Sequence, residues 1–170
     1  MKKNLFLFIL LSVFGFSQKN TKTILKDFSI ELPGKWEHTK DFGRFQFGFE
    51  NKEIGGMFSV SIRDAKKIEY YQPEFSSLDE FQLLEKYYQW ESDYWKENPK
   101  NNVTEIERNK KEATVLWKIS LNGEDNSVNY FLNGIKNNYI IAIMFVNSKM
   151  DEQKKIELLK NIYSSIKYLK

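Results

Sequence analysis

The chain has 170 residues, no cysteine and one histidine, His38. The absence of cysteine excludes disulfide bonds, and together with the single histidine it excludes the usual ligand sets for zinc, copper and haem iron. The net charge of +3, with only three arginines among the basic residues, does not indicate nucleic-acid binding. We therefore expect no cofactor and no nucleic-acid partner.

Residues 1–17 have the three parts of a secretory signal peptide. Two lysines form a positive start, residues 5–16 are apolar, and the small residues Gly15 and Ser17 precede a cleavage site before Gln18. The apolar run is shorter than the roughly 20 residues of a membrane-spanning helix. We therefore expect cleavage between Ser17 and Gln18, no membrane anchor after cleavage, and a periplasmic or secreted mature protein whose net charge is +1.

The first part of the mature chain predicts a short lead-in followed by three strands. Residues 18–26 are polar, and we expect them to form a loose lead-in without a strand. Apolar residues alternate at 28–32, 45–49 and 58–62, which is typical of strands. The last two should pair as a hairpin around a turn at about 51–56. The other face of the second hairpin strand is polar, with Ser59, Ser61 and Arg63.

A long helix is predicted from Ser77 to about Asn98. Ser77 and Glu80 have the spacing of a capping box, and Pro99 marks the end of the helix. Two apolar stripes run side by side, which makes the apolar arc broader than the usual amphipathic minimum. The first stripe, expected to be buried, is Phe81, Leu84, Tyr88 and Trp95; the second is Leu83, Tyr87, Trp90 and Tyr94.

The second half of the chain predicts a meander of strands. A short strand is expected near Val103 and Ile106. Clearer alternation predicts strands at 115–121 and 127–136 and an apolar strand at 139–146. The turns should fall at Asn122-Gly123 and Asn137-Asn138, which are residue types that tolerate positive φ.

Two further features of this half bear on the architecture. Gly134 lies inside a predicted strand, which indicates a bulge or a close contact. The strand at 139–146 is apolar on both faces, so it should be central and covered on both sides. A last helix is expected to begin at Ser148, with Asp151 in its first turn.

These elements predict one α+β domain over residues 27–170. Its core is a central antiparallel β-sheet of six or seven strands with helices on both faces, an α/β/α sandwich.

The order of elements and four local patterns resemble the PsbP-like fold family, which includes a photosystem accessory protein, the DcrB envelope lipoprotein and type VI secretion chaperones. The patterns are FSIELPGKW at 28–36, SLDEF at 77–81, the meander at 112–146 and NIYSSIKYL at 161–169. The resemblance implies a non-catalytic adaptor, chaperone or assembly factor. It transfers no functional residue, and the chain lacks the lipidated cysteine of DcrB.

Two residues are candidates for acid–base chemistry. His38 is the sole possible histidine base, but no G-x-S-x-G motif accompanies it, so we expect a turn or surface residue. Glu91 lies on the seam between the two apolar stripes, and burial there would raise its pKa. We favour the alternative that Glu91 reaches solvent between the aromatic side chains, because glutamate is rarely buried unless paired.

The best candidate for a partner-binding surface is aromatic. It comprises Tyr87, Trp90 and Tyr94 of the second stripe, extended by Tyr70 and Tyr71 from the preceding loop. Exposed apolar patches often mark contacts, and tyrosine and tryptophan are enriched at interface hot spots. The alternative is a thick core whose tyrosine hydroxyls reach water.

The sequence thus favours a non-catalytic exported protein that acts as a binding, chaperone or assembly accessory factor in the cell envelope. Its partner would be an envelope protein or an apolar segment of one. Two other functions stay open: a small carboxylate-dependent hydrolase, and a glycan-binding module that uses exposed tryptophan and tyrosine as stacking platforms.

Overall fold

The computed structural model describes residues 20–25, 27–39, 47–121, 127–146 and 149–169. Within these residues the helices are α1 (Glu80–Lys96) and α2 (Glu152–Ser165), and two short 3-10 turns span Ala65–Lys67 and Pro73–Ser77. The strands are β1 (Thr21–Leu25), β2 (Phe28–Leu32), β3 (Glu37–Thr39), β4 (Phe47–Asn51), β5 (Gly56–Asp64), β6 (Asn101–Asn109), β7 (Thr114–Leu121), β8 (Val128–Lys136), β9 (Tyr139–Val146) and β10 (Lys167–Tyr168).

Seven of the described strands form one antiparallel sheet in the order β3-β4-β5-β9-β8-β7-β6. The doubly apolar strand β9 lies in the middle. Its Ile141 and Ile143 contribute to the core on the α2 face, whereas Ile140 and Ala142 contribute to the core on the α1 face. The α+β fold with a helix on each face of a central antiparallel sheet is therefore confirmed.

Each helix presses one apolar face onto the sheet. Leu159 and Ile162 of α2 are fully buried, as is Leu84 of α1. Burial of each such side chain contributes roughly 1.5–3 kcal/mol. α1 packs on β6, β7 and β8, and β8 lies next to the middle strand β9.

A second sheet lies on the α2 side and corrects the expectation for the lead-in. Its strands are ordered β1-β2-β10, and β2 carries Phe28, Ile30 and Leu32 into the core. Residues 21–25, expected to be loose, form β1 and pair with β2 along its length. The lead-in shows no apolar alternation because β1 is an edge strand in which Leu25 alone is buried.

The turn at Asn137-Asn138 and the role of Gly134 follow the sequence. Asn137 and Asn138 have φ of 51° and 62°, the conformation that a two-residue hairpin of this kind requires. Gly134 is a close contact, because a Cβ at this position would collide with the ring of Tyr163.

Both helices have an aspartate as their N-terminal cap. α1 starts after Asp79, whose carboxylate accepts from the Gln82 N–H at 2.8 Å while Gln82 Oε1 accepts from the Asp79 N–H at 3.0 Å. The prediction of Ser77 as the cap is wrong because residues 73–77 form a 3-10 turn instead. Asp151 caps α2 by accepting from the Lys154 N–H at 2.9 Å.

Several predictions lie outside the described residues: the cleavage site at Ser17 and Gln18, Phe45, the turn at Asn122-Gly123, and Ser148. In the part of the chain that is described, neither helix combines the length and the apolar character that crossing a membrane would need.

Candidate functional site

The five aromatic residues of the predicted surface do not share one environment. Tyr70 and Tyr87 are buried, and Tyr71 is half-buried. Trp90 and Tyr94 keep 38% and 46% of their surface exposed. Only the last two residues, one helical turn apart on α1, therefore stand out from the molecule as large exposed aromatics.

Tyr70 and Tyr87 belong to the core, which corrects their assignment to a contact surface. The two rings meet edge to face with centroids 5.4 Å apart, and both contact Trp90, at 6.3 Å and 5.8 Å. Tyr70 lies in the segment between β5 and α1, and Tyr87 lies on α1 itself. Both pack against the ring of Trp90. The second stripe was expected to be the exposed one, but Leu83 and Tyr87 of that stripe are buried, and its exposed residues are Trp90 and Tyr94.

We use the term aromatic edge for Trp90 and Tyr94. The inner side of Trp90 is packed against Tyr70 and Tyr87, and Tyr94 packs against Trp95 with centroids 5.9 Å apart. Both aromatics are thus held by neighbours while part of each ring faces outward. A pre-ordered exposed aromatic loses little side-chain entropy when it binds.

Glu91 lies beside the aromatic edge, and its carboxyl group is hydrogen-bonded inside the protein. Glu91 Oε2 accepts from Asn133 Nδ2 of β8 at 2.6 Å. Glu91 is half-buried, so it keeps part of the exposure that we expected, but its carboxyl group also has a partner on the sheet that the sequence did not predict. The Asn133 amide donates to the carboxyl group a hydrogen bond that we expected water to donate.

Tyr87 and Arg63 complete this polar cluster. Burial raises the pKa of Glu91 to about 7, against the opposing effects of hydrogen bonds with Asn133 and Tyr87 and of the Arg63 charge. Burial first, and then the charge of Glu91, raises the pKa of Tyr87 well above its usual value. The Tyr87 hydroxyl therefore keeps its proton at neutral pH and can donate a hydrogen bond to Glu91.

The sheet beneath the cluster carries short side chains. Ser61 of β5 lies opposite Ala142 of β9, which lies opposite Asn133 of β8. Directly opposed residues of antiparallel strands share a face, so this row lies under α1. Asn133 is fully buried, and its Oδ1 has no hydrogen-bond partner among the described residues.

Asn133 and Arg63 were not identified as site residues from the sequence. Position 133 shares its strand face with the apolar Phe131 and Ile135, so its polar side chain interrupts a buried stripe. That interruption was a signal that could have identified Asn133. Arg63 was placed correctly on the polar face of its strand, but its proximity to α1 depends on tertiary packing.

His38 lies on β3, exposed, with its ring edge to face against Phe49 at 5.4 Å. It is a surface residue, as expected. Within the described ranges, no group of three or more histidine, aspartate or glutamate side chains could hold a metal ion.

An open cleft of about 350 Å³ also has Arg63 among its lining residues. Its walls come from the turn between β1 and β2 and from the ends of β4, β5 and β9. Both charge signs and three aromatic rings line it: Leu25, Asp27, Phe28, Phe47, Ile62, Arg63, Asp64, Lys67 and Tyr139. Lys67 and Asp64 form an ion pair across 3.7 Å, so part of this charge is already compensated.

No protein-family model and no curated protein sequence matches the chain. Solved structures match it in fold. The solution structure of cyanobacterial PsbP (CyanoP) from Synechocystis sp. PCC 6803 superposes with a TM-score of 0.56 at 10% identity, covering 94% of this chain and 98% of that chain. The Ran-binding protein Mog1p from Saccharomyces cerevisiae superposes with a TM-score of 0.53 at 10% identity, covering 90% and 97%.

A structure of a Mog1 mutant gives the same TM-score of 0.53 at 8% identity, covering 88% of this chain and 96% of that chain. Identities this low establish shared architecture and nothing about the site. The resemblance noted in the sequence is thereby supported at the level of architecture: the chain has a PsbP-like fold, similar also to that of Mog1.

Proposed function

We propose that this chain is a non-catalytic exported protein that binds a protein partner through the aromatic edge, Trp90 and Tyr94. The observation that carries the proposal is their exposure, 38% and 46%, on a helix whose other large aromatic side chains are buried or half-buried. Both rings pack against neighbouring side chains and are partly exposed, and tryptophan and tyrosine are enriched at interface hot spots.

The fold and the sequence support this proposal without identifying the partner. Mog1p, a Ran-binding protein by name, shares the architecture, which indicates that this fold can present a surface to another protein. The signal-peptide pattern at residues 1–17 favours a partner in the cell envelope, either a protein or an apolar segment of one. A chaperone or assembly role would be one form of such binding.

Quantitative co-purification tests the proposal. The tagged protein is expressed in its own cells with its signal sequence, and captured envelope proteins are measured by mass spectrometry. Trp90→Ala should reduce capture of the main partner at least tenfold, since hot-spot truncations cost about 2 kcal/mol or more. Tyr168→Ala is a matched control, because Tyr168 is 37% exposed and lies in β10, outside the aromatic edge.

Equal capture by the parent protein and Trp90→Ala would contradict the proposal. So would an equal loss with Tyr168→Ala, because it would indicate a general effect of removing an aromatic side chain. Saturable binding of a purified glycan that Trp90→Ala abolishes would instead favour the glycan-binding alternative, in which the same rings stack on sugars.

The hydrolase alternative rests on Glu91. Burial raises the pKa of its carboxyl group to about 7, and a carboxyl group with such a pKa is suited to general acid–base catalysis near neutral pH. Turnover in a panel of hydrolase substrates that is lost with Glu91→Gln but kept with Trp90→Ala would favour this function over partner binding.

A further inference from the structure

One exposed side of α1 carries a short line of residues, which we call the outer stripe. Its members follow one another at intervals of four, four and three positions, so on an α-helix they lie within an arc of about 80°. They are Lys86, Trp90, Tyr94 and Glu97, and all four are exposed. Glu97 follows the last residue of α1 but keeps helical backbone angles, so it continues the stripe.

The outer stripe has opposite charges at its two ends. Lys86 supplies a cation before the two aromatic rings, and Glu97 supplies a carboxylate after them. Among the described residues, no carboxylate lies within ion-pair distance of Lys86 and no cation lies within that distance of Glu97. The Lys86 ammonium is instead 5.7 Å from the centroid of the Phe75 ring. Each end therefore keeps a charge that a partner can meet.

This order of side chains is complementary to itself when it is reversed. In an antiparallel pair of α1 helices, with a two-fold axis level with residue 92, Trp90 of each copy lies opposite Tyr94 of the other. Lys86 precedes that level by about as much as Glu97 follows it, so each Lys86 lies beside Glu97 of the second copy. A two-fold axis makes every contact twice. A parallel pair would instead bring like charges together at both ends, which is repulsive.

The side chains near this axis suit contact with a second copy. Asp93, an exposed acidic residue beside the stripe, accepts from Gln89 Nε2 at 2.6 Å and from Lys96 Nζ at 3.1 Å, so its charge is compensated within its own chain. The rings of Trp90 and Tyr94 already pack against neighbouring side chains, so they lose little side-chain entropy on contact. Offset or edge-to-face aromatic pairs also add stability beyond the burial of their area.

We propose that the outer stripe is a homodimer contact, in which the α1 helices of two copies of this chain pack antiparallel. The Trp90 and Tyr94 rings of the two copies supply the contact area, and the two Lys86–Glu97 pairs fix the antiparallel register. The inference rests on the proposed function, because it names a second copy of the chain as the protein that the aromatic edge binds.

Sedimentation equilibrium of the purified mature protein measures the dissociation constant of the dimer. Lys86→Glu and Glu97→Lys each create two like-charge contacts across the axis, so each change should raise the dissociation constant at least about tenfold. Lys110→Glu is the matched control, because Lys110 is an exposed residue of the turn between β6 and β7, and it should leave the constant unchanged.

Mixing the two charge variants is the decisive arm of the experiment. In a heterodimer of Lys86→Glu with Glu97→Lys, opposite charges meet at both ends of the stripe. The equimolar mixture should therefore form dimers at concentrations where each variant alone is monomeric. A mixture that stays monomeric at those concentrations would overturn the inference, as would charge variants that dimerise as tightly as the parent protein.

The parent protein alone also decides the inference, whether or not the variants fold. A parent protein that remains monomeric up to millimolar concentration overturns it. If that monomer still captures an envelope protein and loses it with Trp90→Ala, the proposed function stands and the second copy is not the partner. Because dimerisation is measured on purified protein, its failure is distinguishable from failure of partner capture.

Discussion

Glu91 illustrates at the residue scale how an acidic side chain is accommodated in an apolar seam. Glutamate at such a position usually extends to water, and the helical wheel of α1 offered that route. The structure instead supplies an amide from β8, the third strand after α1 in the chain, and a hydroxyl from the preceding helical turn. The charge is therefore partly satisfied inside the protein, but burial still raises the pKa of Glu91.

The raised pKa of Glu91 predicts a specific pH dependence of stability. The folded protein keeps a proton that the unfolded chain loses between about pH 4.5 and about pH 7, so the stability contributed by this group falls as the pH rises through that window. The loss should be at most about 1–3 kcal/mol, allowing for the partial exposure of the side chain. Glu91→Gln should remove it.

Urea unfolding at about pH 5.5 and about pH 8.5 provides the measurement, read as the difference between parent and Glu91→Gln. The parent protein should lose more stability than the variant on going to the higher pH. An identical pH profile for the two proteins would show that Glu91 titrates as it does in the unfolded chain.

At the scale of the element, the start of α1 shows why the cap was misassigned. Ser77 and Asp79 are both good caps, and each has a glutamate or glutamine three residues later. Pro73 favours a turn of its own, and residues 73–77 close as a 3-10 helix. The α-helix therefore begins two residues later, at the second of two equivalent sequence signals.

This assignment predicts the effects of two matched substitutions. Asp79→Ala removes the acceptor for the Gln82 N–H and should cost about 1 kcal/mol of unfolding free energy. Ser77→Ala should change it by less than about 0.5 kcal/mol, because Ser77 is an exposed residue of the preceding turn. Denaturant unfolding of both variants is the measurement, and a larger effect at Ser77 would contradict the observed helix start.

Elements with a strong local pattern were predictable from the sequence, and those without one were not. β9 was placed in the middle of the sheet because it is apolar on both faces, and Asn137-Asn138 was identified as a turn because both residues accept positive φ. β1 was missed because its residues are mostly exposed and it is defined by backbone pairing. The Glu91–Asn133 contact joins residues 42 positions apart, and no local pattern encodes it.

At the scale of the whole molecule, the position of β9 makes its side chains critical for both cores. Ile143 is fully buried and faces α2 from the middle of the sheet. Ile143→Ala should cost about 2–5 kcal/mol, the range for a buried isoleucine. Ile24→Ala is the matched control, since Ile24 is 58% exposed on β1, and it should cost less than about 0.5 kcal/mol. Similar unfolding midpoints for the two variants would contradict the sheet order.

Export is a separate proposal about the whole chain, and it has its own test. The signal-peptide pattern predicts a mature protein beginning at Gln18, or at its pyroglutamate form. Intact-mass measurement of protein isolated from the native envelope checks this prediction. A protein that retains the apolar run at residues 5–16 would contradict it.

We propose Trp90 as part of a contact surface and not as a structural part of the core. The unfolding free energy of Trp90→Ala distinguishes these two roles, with Trp117→Ala, at a fully buried position of β7, as the reference for a core tryptophan. A surface role for Trp90 predicts a loss of about 1 kcal/mol for Trp90→Ala, against about 3–5 kcal/mol for Trp117→Ala. A loss for Trp90→Ala as large as that for Trp117→Ala would contradict the surface role.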